Sequence, residues 1–403
     1  MNKEPSATTS PANPTNPTLF AVTAPGLERA AARELAALGL EGKPARGGVY
    51  FAGGAEAVAR ANLHLRSVSR VLVRAGEFYA AAFSELRTKA GRLPWERYLA
   101  PGQPVAVRAT SHKSRLYHSD GVAERVAGAI EDRLGKPAPL VKARTEQDEE
   151  EAPVEATPQL IIVRLVNDQV AISMDSSGAL LHQRGYRLAT AKAPLRETLA
   201  AGMLLAAGWD GTTPLLDPFC GAGTIVIEAA LLALRLAPGR NRRFAFMDWP
   251  AYDAAEWQRL LSEAAAGAKE AGPLLIGSDR DEGAIEAARA NAERAGVAHA
   301  VRFERRTISE LEAAAGPGWV VSNPPYGVRL RGSTRRGPDL RNLYAQLGKV
   351  LRERCPGWQV ALLSANDRLA QATGLRFDEG RSVALVNGGL PVRMVRARVP
   401  MAA

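Results

Sequence analysis

Asn323-Pro324-Pro325-Tyr326 is the segment whose residue types and order best fit a chemical step. An amino group on a flat ring is a poor nucleophile, because its lone pair is shared with the ring. The side-chain oxygen of Asn323 and the carbonyl oxygen of Pro324 can each accept one N–H of such a group, fixing the nitrogen and pointing it at an electrophile. Prolines stiffen this backbone, and Tyr326 offers a face on which a base can stack. The preceding run Trp319-Val320-Val321-Ser322 predicts a buried strand. The tetrapeptide then lies at a strand's carboxyl end, where open α/β sheets place their ligands. A strand-to-helix turn punctuated by prolines is the plainer account of the same residues.

Upstream stands Leu215-Leu216-Asp217-Pro218-Phe219-Cys220-Gly221-Ala222-Gly223-Thr224, continuing into Ile225-Val226-Ile227-Glu228. This order predicts strand, glycine-rich turn and helix. Gly221 and Gly223 permit positive φ and a close approach of ligand to backbone, and the helix N-terminus after them favours an anionic group. The spacing is not the dinucleotide G-x-G-x-x-G, because Val226 holds the last position, nor does Gly-Lys-Ser/Thr follow. Next comes Leu274-Leu275-Ile276-Gly277-Ser278-Asp279, a predicted strand ending in an acid that can accept both hydroxyls of a ribose. Asp279 also fits the N-cap of a helix beginning near Glu282.

This succession resembles the class I S-adenosylmethionine-dependent methyltransferases, and the Asn-Pro-Pro-Tyr form resembles their amino-methylating branch. Leu181-His182-Gln183-Arg184-Gly185-Tyr186-Arg187, the run Ala193-Pro194-Leu195-Arg196-Glu197-Thr198-Leu199, and Leu116-Tyr117-His118-Ser119 are similar to segments of THUMP-containing RNA guanine-N2 methyltransferases. The bacterial 23S rRNA enzymes are the nearest group. Their larger members carry a second methyltransferase domain after this one, and none is expected here. The resemblance covers the chain from about Leu19 and implies S-adenosylmethionine as cofactor, an RNA substrate (rRNA or tRNA), a cytoplasmic location and no metal, with the oligomeric state left open and a monomer expected. It assigns the cofactor to Asp217, Phe219, Gly221, Gly223, Thr224, Asp279, Thr307 and Asn323. It assigns the guanine amino group to Asn323, Pro324, Pro325 and Tyr326, the base having left its stack. Displacement in line with a sulfonium needs alignment rather than a covalent nucleophile, so Cys220 reads as a small residue lining the turn. One departure stands out. The family carries an acid after the third strand, near the adenine amino group. Here that stretch is Phe303-Glu304-Arg305-Arg306-Thr307-Ile308, with Thr307 in the expected place and Glu304 too early.

The 403 residues carry a formal net charge of +10, which favours a polyanionic partner. Two cysteines, Cys220 and Cys355, exclude a disulfide framework or a cysteine-based zinc site, and the five histidines lack metal spacing. No apolar run reaches the roughly eighteen residues of a transmembrane helix, and Met1–Thr18 reads as a flexible tail. The acidic stretch from Glu146 to Glu155 reads as a solvated loop. Arg240, Arg242 and Arg243, with Arg329, Arg331, Arg335 and Arg336, are expected to flank the site and face RNA phosphates. His112, Lys113, Arg115, Tyr117 and His118 form a mixed basic and aromatic loop of the same kind. Lys113, Arg115, Arg242, Arg243, Arg329 and Arg331 are the RNA-contact candidates.

Strand and helix patterns alternate through the first half. They predict strands at Phe20–Thr23, Val49–Phe51, Val68–Val73, Val105–Ala109, Leu160–Val166 and Val170–Met174, and helices at Gly26–Leu38, Ala55–Leu65 and Gly121–Leu134. The second half has the short, continuous apolar strands of a parallel sheet buried on both faces. A hairpin follows, Val383–Val386, Asn387-Gly388-Gly389 and Val392–Val399. The expected fold is an α/β Rossmann-like class I methyltransferase domain at 188–403, mostly parallel with a C-terminal antiparallel hairpin. Before it come α+β modules: a ferredoxin-like part at 19–66 and a THUMP-like RNA-binding part at 67–180. Competing readings are a tRNA enzyme, an adenine or glutamine amino acceptor, and a degenerate RNA-binding or ribosome-assembly factor.

Overall fold

Alternation of apolar and polar residues lays down the first sheet, seen here in a computed structural model that describes residues 17–145, 148, 158–187, 195–326 and 340–401. Its elements are β1 (Thr18–Thr23), α1 (Glu28–Ala37), β2 (Gly42–Ala45), β3 (Gly48–Ala52), α2 (Ala55–His64), β4 (Val68–Tyr79), α3 (Phe83–Ala90), β5 (Val105–His112), α4 (Ser119–Leu134), β6 (Leu140–Val141), β7 (Gln159–Val166) and β8 (Gln169–Asp175). The strands form one eight-stranded sheet in the order β2-β3-β1-β4-β8-β7-β5-β6. Strand β4 is longer than its sequence pattern predicts. Its first half pairs with β1, its second half with β8, and the register shifts between Arg74 and Gly76. Two units expected to be separate thus share one sheet. The bulge re-aims the strand between its two partners. Strand β2, not foreseen, holds Pro44 at the sheet edge, where a missing N–H disrupts no ladder.

The second half contributes α5 (Glu197–Ala207), β9 (Leu215–Asp217), α6 (Thr224–Ala233), α7 (Ala254–Ala266), β10 (Leu275–Asp279), α8 (Glu282–Ala295), β11 (Arg302–Arg305), β12 (Trp319–Ser322), α9 (Arg341–Arg354), β13 (Gln359–Ser364), α10 (Asp367–Ala372), β14 (Val383–Asn387) and β15 (Leu390–Arg398). The sheet order is β11-β10-β9-β12-β13-β15-β14, parallel as far as β13 and antiparallel beyond it. Leu215, Val320, Val321 and the stretch from Val360 to Leu363 are wholly buried, because helices cover both faces. From β9 the chain runs outward through β10 and β11, then returns to place β12 on the other side of β9. The carboxyl ends of β9 and β12 therefore flank the topological switch point, where such sheets bind ligands.

Buried polar side chains lock the two halves together. The Arg184 guanidinium donates to the carbonyls of Leu181 and Arg66, each at 2.6 Å, and lies 3.6 Å from the Glu228 carboxylate. Tyr186 donates to Glu228 at 3.1 Å. Arg187 grips Glu197 through two bonds, at 3.1 and 2.6 Å. Among the described residues no helix is long and apolar enough to cross a membrane. Met1 to Asn16, most of the acidic stretch between Glu146 and Glu155, the segment Ala193-Pro194, and Arg329, Arg331, Arg335 and Arg336 lie outside the described residues.

Candidate methyl-transfer site

Three strand ends converge at the switch point. The turn after β9 is held to β10 by the Cys220 N–H, which donates to the Ser278 carbonyl at 3.0 Å, and by the Gly221 N–H, which donates to the Asp279 carboxylate at 3.1 Å. Gly221 and Gly223 both have positive φ, 50° and 84°. Their surroundings differ. A Cβ on Gly221 would meet nothing within 4 Å, so this backbone faces open space that a ligand can fill. A Cβ on Gly223 would lie 2.8 Å from the Phe303 ring and 3.0 Å from the Ala288 Cβ, so Gly223 permits close packing of α6 instead. Thr224 opens α6 and is buried, while Phe219 is half-buried against Leu216 and its neighbours.

Asp279 is not the helix cap. Asp281 caps α8, accepting from the Gly283 N–H at 3.0 Å. One Asp279 oxygen takes the Gly221 N–H and the other the Asp281 N–H. The acid is thereby oriented at the end of β10 and half-buried, with its remaining lone pairs free for hydroxyl donors.

Asp217 is almost fully buried at the end of β9. Its Oδ1 accepts from Ser322 Oγ at 2.6 Å and from the Phe219 N–H at 3.2 Å. Ser322 immediately precedes Asn323, so this bond joins the glycine turn to the Asn-Pro-Pro-Tyr turn. Burial raises the Asp217 pKa to about 7, against the lowering effect of those two bonds and with help from the Asp279 charge. The folded carboxyl thus keeps its proton where the unfolded one, near 3.8, has lost it. Stability attached to that proton is present below about pH 4 and is lost as pH rises through about 7. The neutral isostere Asp217→Asn is expected to unfold less readily than wild type at pH 8, by on the order of 1–4 kcal/mol. Denaturant melts at pH 5 and pH 8 test this, and an equal gap between variant and wild type at both pH values would refute it.

The acceptor turn is distinguished by Asn323 Oδ1. It is buried and has no hydrogen-bond partner among the described residues. Pro324 is buried beside it, Pro325 is exposed, and Tyr326 is half-buried with its hydroxyl accepting from Asn387 Nδ2 at 2.8 Å. The sequence marks Asn387 only as a hairpin-turn residue, since no local pattern connects it with Tyr326. Burial drives the Cys220 thiol well above its ordinary pKa, which removes it as a nucleophile. Among the described residues no group of acids, histidines and cysteines is placed to hold a metal.

Three expectations meet a setting the sequence does not show. Thr307 caps a short 3₁₀ turn, Ile308–Glu310, and both its hydroxyl and its N–H donate to the Glu310 carboxylate. Its side chain is engaged in that cap. Glu304 pairs with Arg306 at 3.0 Å. Second, the insertion bearing Arg240, Arg242 and Arg243 is anchored on the amino-terminal half. Phe244, Phe246 and Trp257 are buried in the core of the amino-terminal half and carry the insertion there. Third, Arg242 is no free cation. Its guanidinium donates to the carbonyls of Ala179 (2.6 Å), Leu180 (2.9 Å) and Gln183 (3.3 Å) and stacks over Phe244 at 5.1 Å. Burial lowers its pKa to about 9. Arg242→Ala is expected to strip the donor from these carbonyls and cost about 2–4 kcal/mol of stability, read as a drop in unfolding midpoint. A change below about 0.5 kcal/mol, the usual size for a surface arginine, would restore the RNA reading. Arg243 is exposed and paired with Asp248 through bonds of 3.0 and 2.6 Å. Arg240 donates to the carbonyls of Ala237 and Ala295. Lys113 and Arg115 stay exposed on the loop after β5, next to Tyr117, which is 68% exposed and tilted against the His118 ring at 4.2 Å.

A sheet of this order, with a glycine turn after β9, an acid ending β10 and Asn-Pro-Pro-Tyr after β12, defines a class I methyltransferase domain. The chain belongs to the family described as RMKL-like, methyltransferase domain, whose model matches residues 184–396. Models for the RlmL ferredoxin-like domain and the THUMP domain match residues 18–72 and 80–175. The ribosomal RNA large subunit methyltransferase K/L of Syntrophotalea carbinolica is 40% identical over 394 residues, which is 94% of this chain and 53% of that protein. The chain thus spans about half the length of that relative. Synechocystis sp. slr0064, whose name assigns it RNA methyltransfer, is 35% identical, covering 94% of this chain and 95% of its own length. The solved structure of SMU.472, crystallised with S-adenosylhomocysteine, superposes with a TM-score of 0.83 at 31% identity, covering 97% of this chain and all of the other.

Proposed function

We propose that the chain transfers a methyl group from S-adenosylmethionine to the exocyclic N2 amino group of a guanine in RNA, with 23S rRNA as the substrate. The observation that carries this is the Asn323 Oδ1 at the switch point, buried and without a partner among the described residues. An orphaned acceptor costs about 1–3 kcal/mol, and such a cost persists where function uses the group. The relatives named for large-subunit rRNA and the THUMP match favour RNA as the carrier of that amino group.

The residues fit the cofactor. Gly221 leaves room against its backbone, the start of α6 suits a carboxylate, and Asp279 has acceptor capacity for ribose hydroxyls. When bound, the cofactor supplies an electrophilic methyl on sulfur. Asn323 Oδ1 and the Pro324 carbonyl then accept the two N–H bonds of the guanine amino group and hold its nitrogen toward that methyl, while Tyr326 carries the ring. The bond from Ser322 to Asp217 keeps the cofactor turn and the acceptor turn in register. Lys113 and Arg115, exposed on the amino-terminal half, contact phosphates within this reading, and Arg243 is a weaker member of the set. The units 19–66, 67–180 and 188–403 divide the work, with the first two gripping structured RNA and the third doing the chemistry. Supplying methyl-labelled cofactor with unmodified 23S rRNA, 16S rRNA and tRNA in parallel tests the substrate. Label is expected in 23S rRNA. Label in tRNA alone would replace it with the tRNA reading.

A further inference from the structure

The hairpin turn does not need the Asn387 side chain. Asn387 pairs in register with Leu390, so the reversal is made by Gly388 and Gly389 alone, at φ 55° and 78°. Two consecutive positive φ angles are what a tight hairpin turn requires. Asn387 is nonetheless only 7% exposed, and its side-chain amide donates to the Tyr326 hydroxyl at 2.8 Å. This bond runs from the antiparallel end of the sheet back to the acceptor turn, across the two strands that separate β14 from β12. The arm that delivers it is braced from behind. A Cβ on Gly26, in the turn before α1, would come within 2.2 Å of the Ala384 carbonyl of β14, so the amino-terminal half packs directly on this strand.

We propose that Asn387 is a positioning residue for methyl transfer, fixing the plane of Tyr326 so that the stacked guanine presents its amino group to Asn323. This rests on the guanine-N2 reading. The ring of Tyr326 packs against the apolar core beneath it, which sets its height. The bond to Asn387 sets its remaining degree of freedom, rotation about the ring axis and side-chain torsions. The phenol accepts from Asn387 and so retains its own hydrogen for another acceptor.

A double-mutant cycle on the full-length protein tests this, comparing wild type, Asn387→Ala, Tyr326→Phe and the double variant in kcat and in cofactor Kd. Each single change is expected to lower kcat about ten-fold, and the double change no further than about two-fold beyond the worse single, because both remove one bond. Cofactor Kd is expected to stay within about two-fold throughout. Independent, multiplying losses, or a kcat for Asn387→Ala within about two-fold of wild type, would overturn the inference. Should Asn387→Ala unfold, Asn387→Leu, which keeps the volume and lacks the donor, replaces it in the same cycle. A wild type that methylates no guanine N2 brings down the functional reading and this inference with it. An active wild type with a multiplying cycle overturns the inference alone.

Discussion

Asn323→Ala is expected to reduce methyl transfer by about 100-fold or more while leaving cofactor affinity within about two-fold of wild type. The reason lies in where the side chain points its oxygen. Oδ1 is buried and unclaimed among the described residues, so it does not hold the turn together. The turn is fixed by its two prolines, by Ser322 bonding Asp217, and by Tyr326 bonding Asn387. Truncation is therefore expected to leave the fold and the glycine turn intact and to remove the acceptor proposed to align the nitrogen. Removing an orphaned buried acceptor also relieves a desolvation cost, so the variant should be as stable as wild type or more so. Calorimetry for the cofactor, single-turnover transfer and thermal unfolding on one preparation separate these effects. Transfer within a few-fold of wild type in a folded variant would remove Asn323 from the chemistry.

Asp279→Ala is expected to weaken S-adenosylmethionine binding by about 1.5–3 kcal/mol, roughly 10- to 150-fold, the size of lost charge-assisted hydrogen bonds. Asp279 also anchors the Gly221 N–H, so part of any loss belongs to the glycine turn. Asp279→Asn separates the two contributions. Its amide oxygen still accepts the Gly221 N–H, while Nδ2 replaces the oxygen that takes the Asp281 N–H and the site loses a charge and an acceptor for ribose. Affinity near wild type in Asp279→Asn with a loss in Asp279→Ala would assign the residue to the turn. Losses in both assign it to the ligand. Unchanged binding in both would exclude it from the site.

The methyltransferase sheet was largely legible because its strands are buried on both faces and read as short apolar runs bounded by glycines and acids. Val320-Val321, Leu275-Ile276 and Val360 to Leu363 needed no tertiary information. The first half was less so. β4 continues through Arg74-Ala75-Gly76-Glu77, where a bulge breaks the alternation, and α3 is too short to show a period. Residue roles set by distant backbone were invisible. Arg242 reads as a surface cation until the carbonyls of Ala179, Leu180 and Gln183 close around it. Thr307 could be placed after the third strand, but its commitment to Glu310 is a matter of local torsions. Asn387 reads as turn chemistry because it stands beside two glycines, and only the three-dimensional sheet brings it to Tyr326.

The methylated atom distinguishes guanine-N2 transfer from its alternatives. RNA labelled by the purified full-length chain, digested to nucleosides and resolved by mass spectrometry, tests it most directly. N2-methylguanosine is expected, present with wild type and missing with Asn323→Ala. A methylated adenosine, or no methylated nucleoside from any of the RNAs offered, would contradict it.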